Sequence, residues 1–463
     1  MRAYFFQNVE SKKGVVATMT IPIPLRSMAA WMLLLPLLVA CSHPLEIVGD
    51  GDILSSTGQN DCLLEDQPCD NYVVGDYDVL FAAEPREGWR FIGWEGCGSQ
   101  FPICSINVPA AIVKEFWGEV APPLRAEFHL WPTLAEAANQ ANLEVGAAVG
   151  STFFSSNDVQ LNAASQYTSI TAENAMKWAS LAPTPNTYNF NQADQLVNFA
   201  NANGQRVRGH TLFWHRLNGP PSWLQAELAA ANDPAMHLEQ LMAAHTSAVV
   251  SRYAGQIEQW DVINEPFATF TGDFDTDSIF YQYLGEEFIE IALLQAHATD
   301  PSAALFINET GVVYLPRKFD ALLALAQNLL DEGAPLHGIG IQGHYLFLKP
   351  NKAVLVDMLQ RVGALGLKVE ITELDIPLPL FSDEPDPLAA QAQSYADVFS
   401  ACLEVIACTG ITMWGINDSD TWLDSFEFTV ANAPNRPLLF DESLQPKPAF
   451  YSVLEILLAE DSL

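Results

Sequence analysis

The sequence predicts an α/β protein, a (β/α)8 barrel (TIM barrel) preceded by a small β-rich domain. From residue 135 onward, apolar segments of strand length alternate with amphipathic segments of helical spacing, a pattern typical of a parallel sheet covered by helices. Before that point, short apolar alternations are separated by Gly, Pro and Asp. The chain has 463 residues, of which 49% are hydrophobic, so two folded units with a large core are expected.

The barrel prediction depends on the number of strand candidates. There are eight, as many as a closed barrel needs, at residues 143–150, 169–174, 206–214, 257–264, 303–308, 338–344, 367–375 and 410–415. Amphipathic stretches lie between them, such as FDALLALAQNLLDEGAP, which ends in the helix-stopping Gly-Ala-Pro. An open doubly wound sheet is the alternative, but the AAVGSTFFSS stretch at 147–156 lacks the Gly-rich phosphate loop of such sheets.

Residues 1–40 have the features of a signal peptide of the lipoprotein type. Scattered basic residues precede the run MAAWMLLLPLLVA, which is too short to span a bilayer comfortably. The LVAC stretch at 38–41 resembles the processing box of bacterial lipoproteins, in which the cysteine is lipidated. We expect an exported protein attached to the outer membrane or cell surface through lipid at Cys41. A periplasm-facing form and an ordinary secreted form are the alternatives.

Residues 43–130 form the predicted β domain. The stretch 79–128 contains GWRFIGWEGCGS and CSINV, and it resembles divergent repeat modules of bacterial surface proteins, related to the listerial internalin B-repeat. Such modules serve as spacers or contacts, so the resemblance implies no catalytic role. Burial of Trp89, Phe91 and Trp94 in the domain core is the favoured interpretation, and a sugar-stacking face is the alternative.

The net charge excludes one class of partner. The chain has 56 Asp and Glu against 21 Lys and Arg, a formal charge of -35. Such a surface repels the phosphates of DNA and RNA, so we expect no nucleic-acid partner.

Six of the seven cysteines form three close pairs along the chain. In an exported protein such pairs are typical of disulfides. A metal site is the alternative, but the pairs lack the spacing of a zinc knuckle and a second pair to complete a site. We therefore expect disulfides and no metal. The pairs are Cys62 with Cys69, Cys97 with Cys104, and Cys402 with Cys408.

Nearly every predicted barrel strand ends in polar or aromatic side chains. The C-terminal ends of barrel strands gather around one mouth, where the catalytic groups of this fold lie. A strand-capping role is as plausible for any single residue, but the convergence of the whole set predicts a site. The set comprises Glu173, Asn174, His210, Trp214, Asn264, Glu265, Asn308, Glu309, Gln342, His344, Glu373, Asp375, Trp414 and Asn417.

Glu265 and Glu373 follow the fourth and seventh predicted strands. Hydrolysis of a glycosidic bond needs one carboxylic acid to protonate the leaving oxygen and one carboxylate to attack or to activate water. The nearby tryptophans, amides and imidazoles suit a sugar, because rings stack on its apolar face and polar groups bind its hydroxyls. A metal centre at His210, His215 and His344 is the alternative, but no HxH or HExxH doublet is present.

Seven motifs in order carry a family resemblance: TAENAMKW, VRGHTLFWH, WDVINEP, IGIQGH, ITELDI, TMWGINDSDTW and LLFDESLQPKPAF. Over about 136–457 the sequence resembles glycoside hydrolase family 10, the retaining endo-β-1,4-xylanases. The resemblance implies a catalytic domain at 135–460 that hydrolyses internal bonds of xylan and xylo-oligosaccharides by double displacement. We expect a monomer that uses no cofactor.

The resemblance also implies roles for individual residues. Glu265 is the implied acid/base and Glu373 the implied nucleophile, with carboxyl groups about 5 to 5.5 Å apart as retention requires. Asn264 is expected to bind the sugar 2-hydroxyl, while His344 and Asp375 hold Glu373 ionised and oriented. The other implied substrate-binding residues are Glu173, Asn174, Lys177, His210, Trp214, Gln342, Trp414 and Trp422.

Two departures from the family pattern leave both glutamates unchanged. After Trp-His the family has Ser-Gln-Leu-Pro, whereas residues 216–220 of this chain are RLNGP, so a glutamine contact to a glycon sugar is in doubt. After the fifth strand the family has Asn-Asp-Tyr, where residues 308–310 are NET. These changes affect the expected subsite affinity and substrate preference.

Two other functions stay open at the level of sequence. One is a retaining hydrolase of the same barrel type that acts on glucan or mannan. The other is a surface lipoprotein that binds polysaccharide without cleaving it, and the intact glutamate pair argues against this function.

Overall fold

The structure is a computed structural model that describes residues 41–73, 75–109, 120–216, 219–425 and 434–459. Contacts divide the chain into one unit that ends at Trp131 and another that begins at Pro132. The predicted signal at 1–40 lies outside the described residues, as do Leu217 and Asn218 of the altered loop. Within the described ranges, no helix combines the length and apolar character needed to cross a bilayer.

The first unit contains two small sheets on one core. All neighbouring strands are antiparallel except β1 and β7, which are parallel. One sheet has the order β3-β1-β7-β5 and the other β2-β4-β6. The strands are β1 (Cys41–Val48), β2 (Gly51–Ser55), β3 (Cys69–Val73), β4 (Tyr77–Pro85), β5 (Trp89–Glu95), β6 (Ile103–Val108) and β7 (Leu124–Leu130).

The aromatic side chains of β5 pack against the core of the first unit. Trp89, Phe91 and Trp94 are half-buried and contact its buried residues. The Phe91 ring lies 6.0 Å from that of Phe128, which is fully buried. These contacts favour the core interpretation over a sugar-stacking face.

The predicted disulfides are confirmed. In the first unit, the Cα atoms of Cys62 and Cys69 are 5.7 Å apart and those of Cys97 and Cys104 are 6.1 Å apart. The third bond joins Cys402, which precedes the last barrel strand, to Cys408, the first residue of that strand, with a Cα separation of 5.2 Å. All three separations fall in the range that a disulfide spans.

The second unit is a closed eight-stranded parallel barrel, which confirms the predicted fold class. The last strand pairs with the first, with Gly410 opposite Glu144, so the sheet has no free edge. The strands, each within three residues of its predicted bounds, are β8 (Glu144–Val149), β9 (Ser169–Ala172), β10 (Arg206–Trp214), β11 (Gln259–Asn264), β12 (Ala304–Glu309), β13 (Gly338–Ile341), β14 (Lys368–Leu374) and β15 (Cys408–Met413).

Helices connect the barrel strands. Short 3-10 turns follow β8, β14 and β15, at Ser151–Phe154, Leu378–Phe381, Asp418–Asp420 and Trp422–Ser425. The helices are α1 (Leu134–Gln140), α2 (Asn157–Gln166), α3 (Trp178–Leu181), α4 (Asn191–Ala202), α5 (Leu224–Ala230), α6 (Pro234–Arg252), α7 (Ile279–Leu284), α8 (Glu287–Thr299), α9 (Pro316–Asp331), α10 (Lys352–Gly363), α11 (Pro387–Leu403) and α12 (Pro448–Ala459).

Helix α9 shows how the sequence pattern produces this packing. Phe319, Leu322, Ala326 and Leu329 recur at spacings of three and four residues, and all four are buried. The helix ends before Gly333, whose φ of 82° lies in the left-handed region that glycine adopts without strain.

The barrel interior is more polar than the sequence suggests. Its strands were expected to be apolar throughout, and this is wrong at Arg208, Asp261 and Glu370, which are buried inside the barrel. Arg208 Nε donates to Asp261 Oδ2 at 3.0 Å, and Nη1 donates to Glu370 Oε2 at 2.6 Å. Buried charges persist only when paired, and this network joins strands β10, β11 and β14.

Replacement of Leu322 by Ala should lower the free energy of unfolding by about 2 to 5 kcal/mol, because it leaves a cavity under α9. Urea titration of the wild type and variant measures the change. Gln327→Ala, at an exposed position of the same helix, is the matched control and should change stability little. Equal effects of both substitutions would contradict the packing described here.

Candidate active site

Glu373 lies near the end of β14 with its carboxylate held from two sides. Asn308 Nδ2, at the mouth end of β12, donates to Oε1 at 2.6 Å, and His344 Nε2 lies 3.0 Å from Oε2. His344 Nδ1 in turn contacts Asp375 Oδ2 at 2.9 Å, and the Trp422 indole donates to the same oxygen at 2.8 Å. The carboxylate therefore has a fixed position and direction.

His344 carries a positive charge in this arrangement. Burial by itself lowers the pKa of an imidazole, but the charge of Asp375 and hydrogen bonds to Asp375 and Glu373 outweigh burial and raise the pKa of His344 to about 10. Both ring nitrogens then donate, one to each carboxylate. The imidazolium lies between two carboxylates and compensates their charge.

Glu265 is the first residue after β11, and its backbone has a φ of 57°. Such a conformation is uncommon for a residue other than glycine, and it is held by a hydrogen bond from Glu265 N to Asn308 O at 2.8 Å. The residue is 9% exposed. Gln342 Nε2 donates to its Oε1 at 3.2 Å, and Arg216 Nε lies 3.3 Å from its Oε2.

A chain of amide side chains joins the two glutamates. Asn308 Nδ2 donates to Asn264 Oδ1 at 2.8 Å as well as to Glu373, and Gln342 Nε2 donates to Asn264 Oδ1 at 3.3 Å as well as to Glu265. Thr372 Oγ1 donates to Asn308 Oδ1 at 2.6 Å, which orients the Asn308 amide so that its nitrogen faces Glu373 and Asn264. Side chains from separate strands thus face one cleft.

The residues after β9 form one wall of this cleft. Lys177 Nζ donates to Asn174 Oδ1 at 2.8 Å and lies 4.5 Å from the ring centre of Trp214. Burial lowers the pKa of Lys177, although Glu373 and Glu173 oppose the shift. Burial raises the pKa of Glu173, an effect that Lys177 partly offsets. Ammonium, carboxylate and amide groups at one position are suited to binding sugar hydroxyls.

Aromatic and imidazole rings form a second wall. The ring of Trp414 lies 5.3 Å from that of His210 and 6.1 Å from that of His344, and Trp422 lies 4.9 Å from His344. His210 Nδ1 is held by Asp261 Oδ2 at 2.9 Å. The rings are fixed before any ligand binds, so they offer rigid faces to a sugar.

Behind Glu265 lies a fully buried ion pair. Glu309 Oε1 is 2.8 Å from Lys318 Nζ, and Glu309 Oε2 accepts a hydrogen bond from Phe267 N at 3.2 Å. Burial raises the pKa of Glu309 to about 7, with Glu265 adding to the shift and Lys318 opposing it. The pair supports the backbone two residues beyond Glu265.

The structure brings the predicted site residues to the same end of the barrel, and two of them have contacts that the sequence did not indicate. Trp422 was expected as a wall of the cleft, and it is also a hydrogen-bond donor to Asp375. Asn308 was grouped with the strand-end residues without a role, and it contacts Glu373 directly. Its place at a strand end, like that of Asn264, was the signal that could have identified it.

The three histidines considered for a metal centre each have a carboxylate partner. His210 pairs with Asp261, and His344 pairs with Asp375 and Glu373. His215 Nε2 lies 3.0 Å from Asp275 Oδ2. Within the described ranges, no group of three or more His, Cys, Asp or Glu side chains is placed to hold a metal ion.

Two buried glutamates at the mouth of a closed barrel, with indoles and amides around them, define a glycoside hydrolase. The chain belongs to glycosyl hydrolase family 10, whose family model matches residues 133–456.

Relatives and solved structures agree with this membership. The chain is 35% identical over 328 residues to endo-1,4-beta-xylanase B of Paenibacillus barcinonensis, covering 69% of this chain and 97% of that protein. It is 37% identical over 298 residues to a beta-1,4-xylanase of Dictyoglomus thermophilum, covering 62% and 82%. Native xylanase 10B from Thermotoga maritima superposes with a TM-score of 0.65 at 32% identity, covering 71% of this chain and 99% of that chain.

Replacement of His344 by Gln should destabilise the protein in a pH-dependent way. The raised pKa means that folded His344 keeps its proton above about pH 6.5, where the unfolded chain loses it. The stabilisation is therefore complete below about pH 6.5 and is lost as pH rises toward 10. The difference in free energy of unfolding between wild type and variant, measured by urea titration, should be larger at pH 6 than at pH 10. A constant difference would contradict the charged imidazolium.

Proposed function

We propose that this protein is a retaining endo-1,4-β-xylanase (EC 3.2.1.8) that hydrolyses internal bonds of xylan and xylo-oligosaccharides. The observation that carries the proposal is the pair Glu265 and Glu373, joined through Asn264, Asn308 and Gln342 at the mouth of the barrel. The similarity to proteins named endo-1,4-beta-xylanase supports xylan as the substrate.

In the first step, Glu373 attacks the anomeric carbon and the glycosidic bond breaks. Protonated Glu265 gives its proton to the leaving oxygen, so that the leaving chain departs as an alcohol. Asn264, which already accepts hydrogen bonds from Asn308 and Gln342, keeps its amide nitrogen for the 2-hydroxyl of the reacting sugar. The product is a glycosyl ester on Glu373, with Glu265 as a carboxylate.

In the second step, Glu265 takes a proton from water, and the resulting nucleophile attacks the anomeric carbon. The ester bond to Glu373 breaks, and both glutamates return to their starting states. Two inversions give a product with the same anomeric configuration as the substrate. When the ester breaks, the electron pair returns to the Glu373 carboxylate, and His344, with its donors on Glu373 and Asp375, stabilises that charge.

Replacement of Glu373 by Ala should abolish release of reducing sugar from xylan, because no glycosyl ester can form. Azide should restore cleavage of an activated aryl xylobioside and give a glycosyl azide of inverted configuration, detected by NMR. Glu404→Ala is the matched control. Glu404 is an exposed carboxylate that precedes the start of β15, at the end of the barrel away from the mouth, and it is paired with Lys352 at 3.0 Å. Full xylanase activity in Glu373→Ala would refute the assignment, and greater activity on glucan or mannan would change the substrate.

We further propose that the chain is exported and held at the outer membrane or cell surface through lipid at Cys41. The signal features of residues 1–40 support this localisation. Cys41 is the first residue of β1, is buried and pairs with Val73. Attachment of lipid to its sulfur therefore requires this residue, at the start of β1, to leave its buried position.

Expression in a Gram-negative host with labelled palmitate tests this localisation. The wild type should incorporate the label and sediment with membranes, whereas Cys41→Ser should do neither and should keep its xylanase activity. An unlabelled wild type, or membrane-bound Cys41→Ser, would overturn lipid attachment without affecting the catalytic proposal.

A further inference from the structure

Arg216, the second residue after β10, contacts the segment that carries Glu265 in a way that the family pattern does not predict. We infer that Arg216 is a positioning residue for Glu265, which fixes the carboxylate and stabilises its ionised form at the moment of proton transfer. The inference rests on the proposed function, because it gives Arg216 a part in the acid catalysis assigned to Glu265.

The guanidinium is anchored on the segment that carries Glu265. Arg216 Nη2 donates to Asp275 Oδ2 at 2.8 Å and to Phe267 O at 3.1 Å, and Nη1 donates to Thr269 Oγ1. These three acceptors lie within ten residues after Glu265, on the loop between β11 and α7. Asp275 also binds His215 Nε2, so the loop is tied to β10 by two neighbouring side chains.

The two oxygens of Glu265 have different neighbours. Gln342 Nε2 donates to Oε1, whereas Oε2 faces Arg216 Nε at 3.3 Å. The Nε–H group makes no well-directed hydrogen bond within the described ranges, so its contact with Oε2 is a charge–charge contact.

The charge of Arg216 matters because of the direction of proton transfer. The guanidinium acts through its charge and its N–H donors, and it has no acceptor, so Arg216 does not take part in the proton transfer itself. When Glu265 protonates the leaving oxygen it becomes a carboxylate, and a cation 3.3 Å away stabilises that product. The cation therefore lowers the barrier most for a basic leaving group, which cannot depart unless it is protonated.

Other charged groups also face Glu265. Lys177 and His215 lie close enough for its charge to raise their pKa values, against the larger effect of burial. Glu309 is a carboxylate behind it, already compensated by Lys318. Among the described residues, Arg216 is the only cationic side chain with a nitrogen within 4 Å of a Glu265 oxygen.

A series of aryl β-xylobiosides with leaving groups of increasing basicity tests the inference with Arg216→Ser. The value of kcat/KM should fall by about 10- to 100-fold for phenyl xylobioside, which needs protonation, and by less than about 3-fold for 2,4-dinitrophenyl xylobioside, which does not. Arg216→Lys, which keeps the charge and loses the branched guanidinium, should recover part of the loss. Asp275→Asn should also lower kcat/KM more for phenyl than for 2,4-dinitrophenyl xylobioside, because it weakens the anchor of Arg216.

Arg361→Ser is the matched control, because Arg361 makes an exposed ion pair with Asp320 at 2.6 Å on the helical surface. It should leave both substrates unchanged. Equal losses on both aryl xylobiosides in Arg216→Ser, or no loss, would overturn the positioning role. The thermal midpoint of each variant shows whether the fold is intact. If Arg216→Ser does not fold, the losses of kcat/KM that Asp275→Asn causes on the two substrates test the role instead. Inactivity of the wild type on every aryl xylobioside would instead refute the proposed function.

Discussion

The structure depends on one electrostatic constraint: a carboxylate can be buried only where a cation or several donors compensate it. At the mouth of this barrel and in its interior, several buried carboxylates lie close together. Each is paired with a cation from another segment, and His344 and Arg208 each pair with two carboxylates. The pairs are Glu373 and Asp375 with His344, Glu265 with Arg216, Glu309 with Lys318, and Asp261 and Glu370 with Arg208.

This constraint couples catalysis to barrel closure. The partners of these carboxylates lie on other strands, on loops at strand ends or on helix α9, so a compensated site exists only when distant segments meet in the closed barrel. Arg208 and Glu370, for example, are 162 positions apart in the chain. Removal of one partner leaves a buried charge, which costs stability as well as activity. The surroundings of Glu373 are the tightest case, since His344 contacts both Glu373 and Asp375.

The two departures from the family pattern fall on the same side of the site. Arg216 contacts Glu265 directly, and Glu309 supports the backbone of Phe267. The Glu373 side, with His344 and Asp375, keeps the residues that the resemblance implies. Both departures in this chain therefore lie beside Glu265 and not beside Glu373.

The sequence by itself determined the barrel strands to within three residues, the three cysteine pairs and the two glutamates, because periodicity, spacing and motif order are local properties of the chain. It overestimated β13, which ends at Ile341, since Gln342 and His344 turn their side chains to the carboxylates. Only the tertiary structure decided which groups meet: Arg216 with Glu265, Asn308 with Glu373, and Arg208 with Asp261 and Glu370. Periodicity reports that a residue is buried, whereas the identity of its partner depends on how distant segments approach one another when the barrel closes.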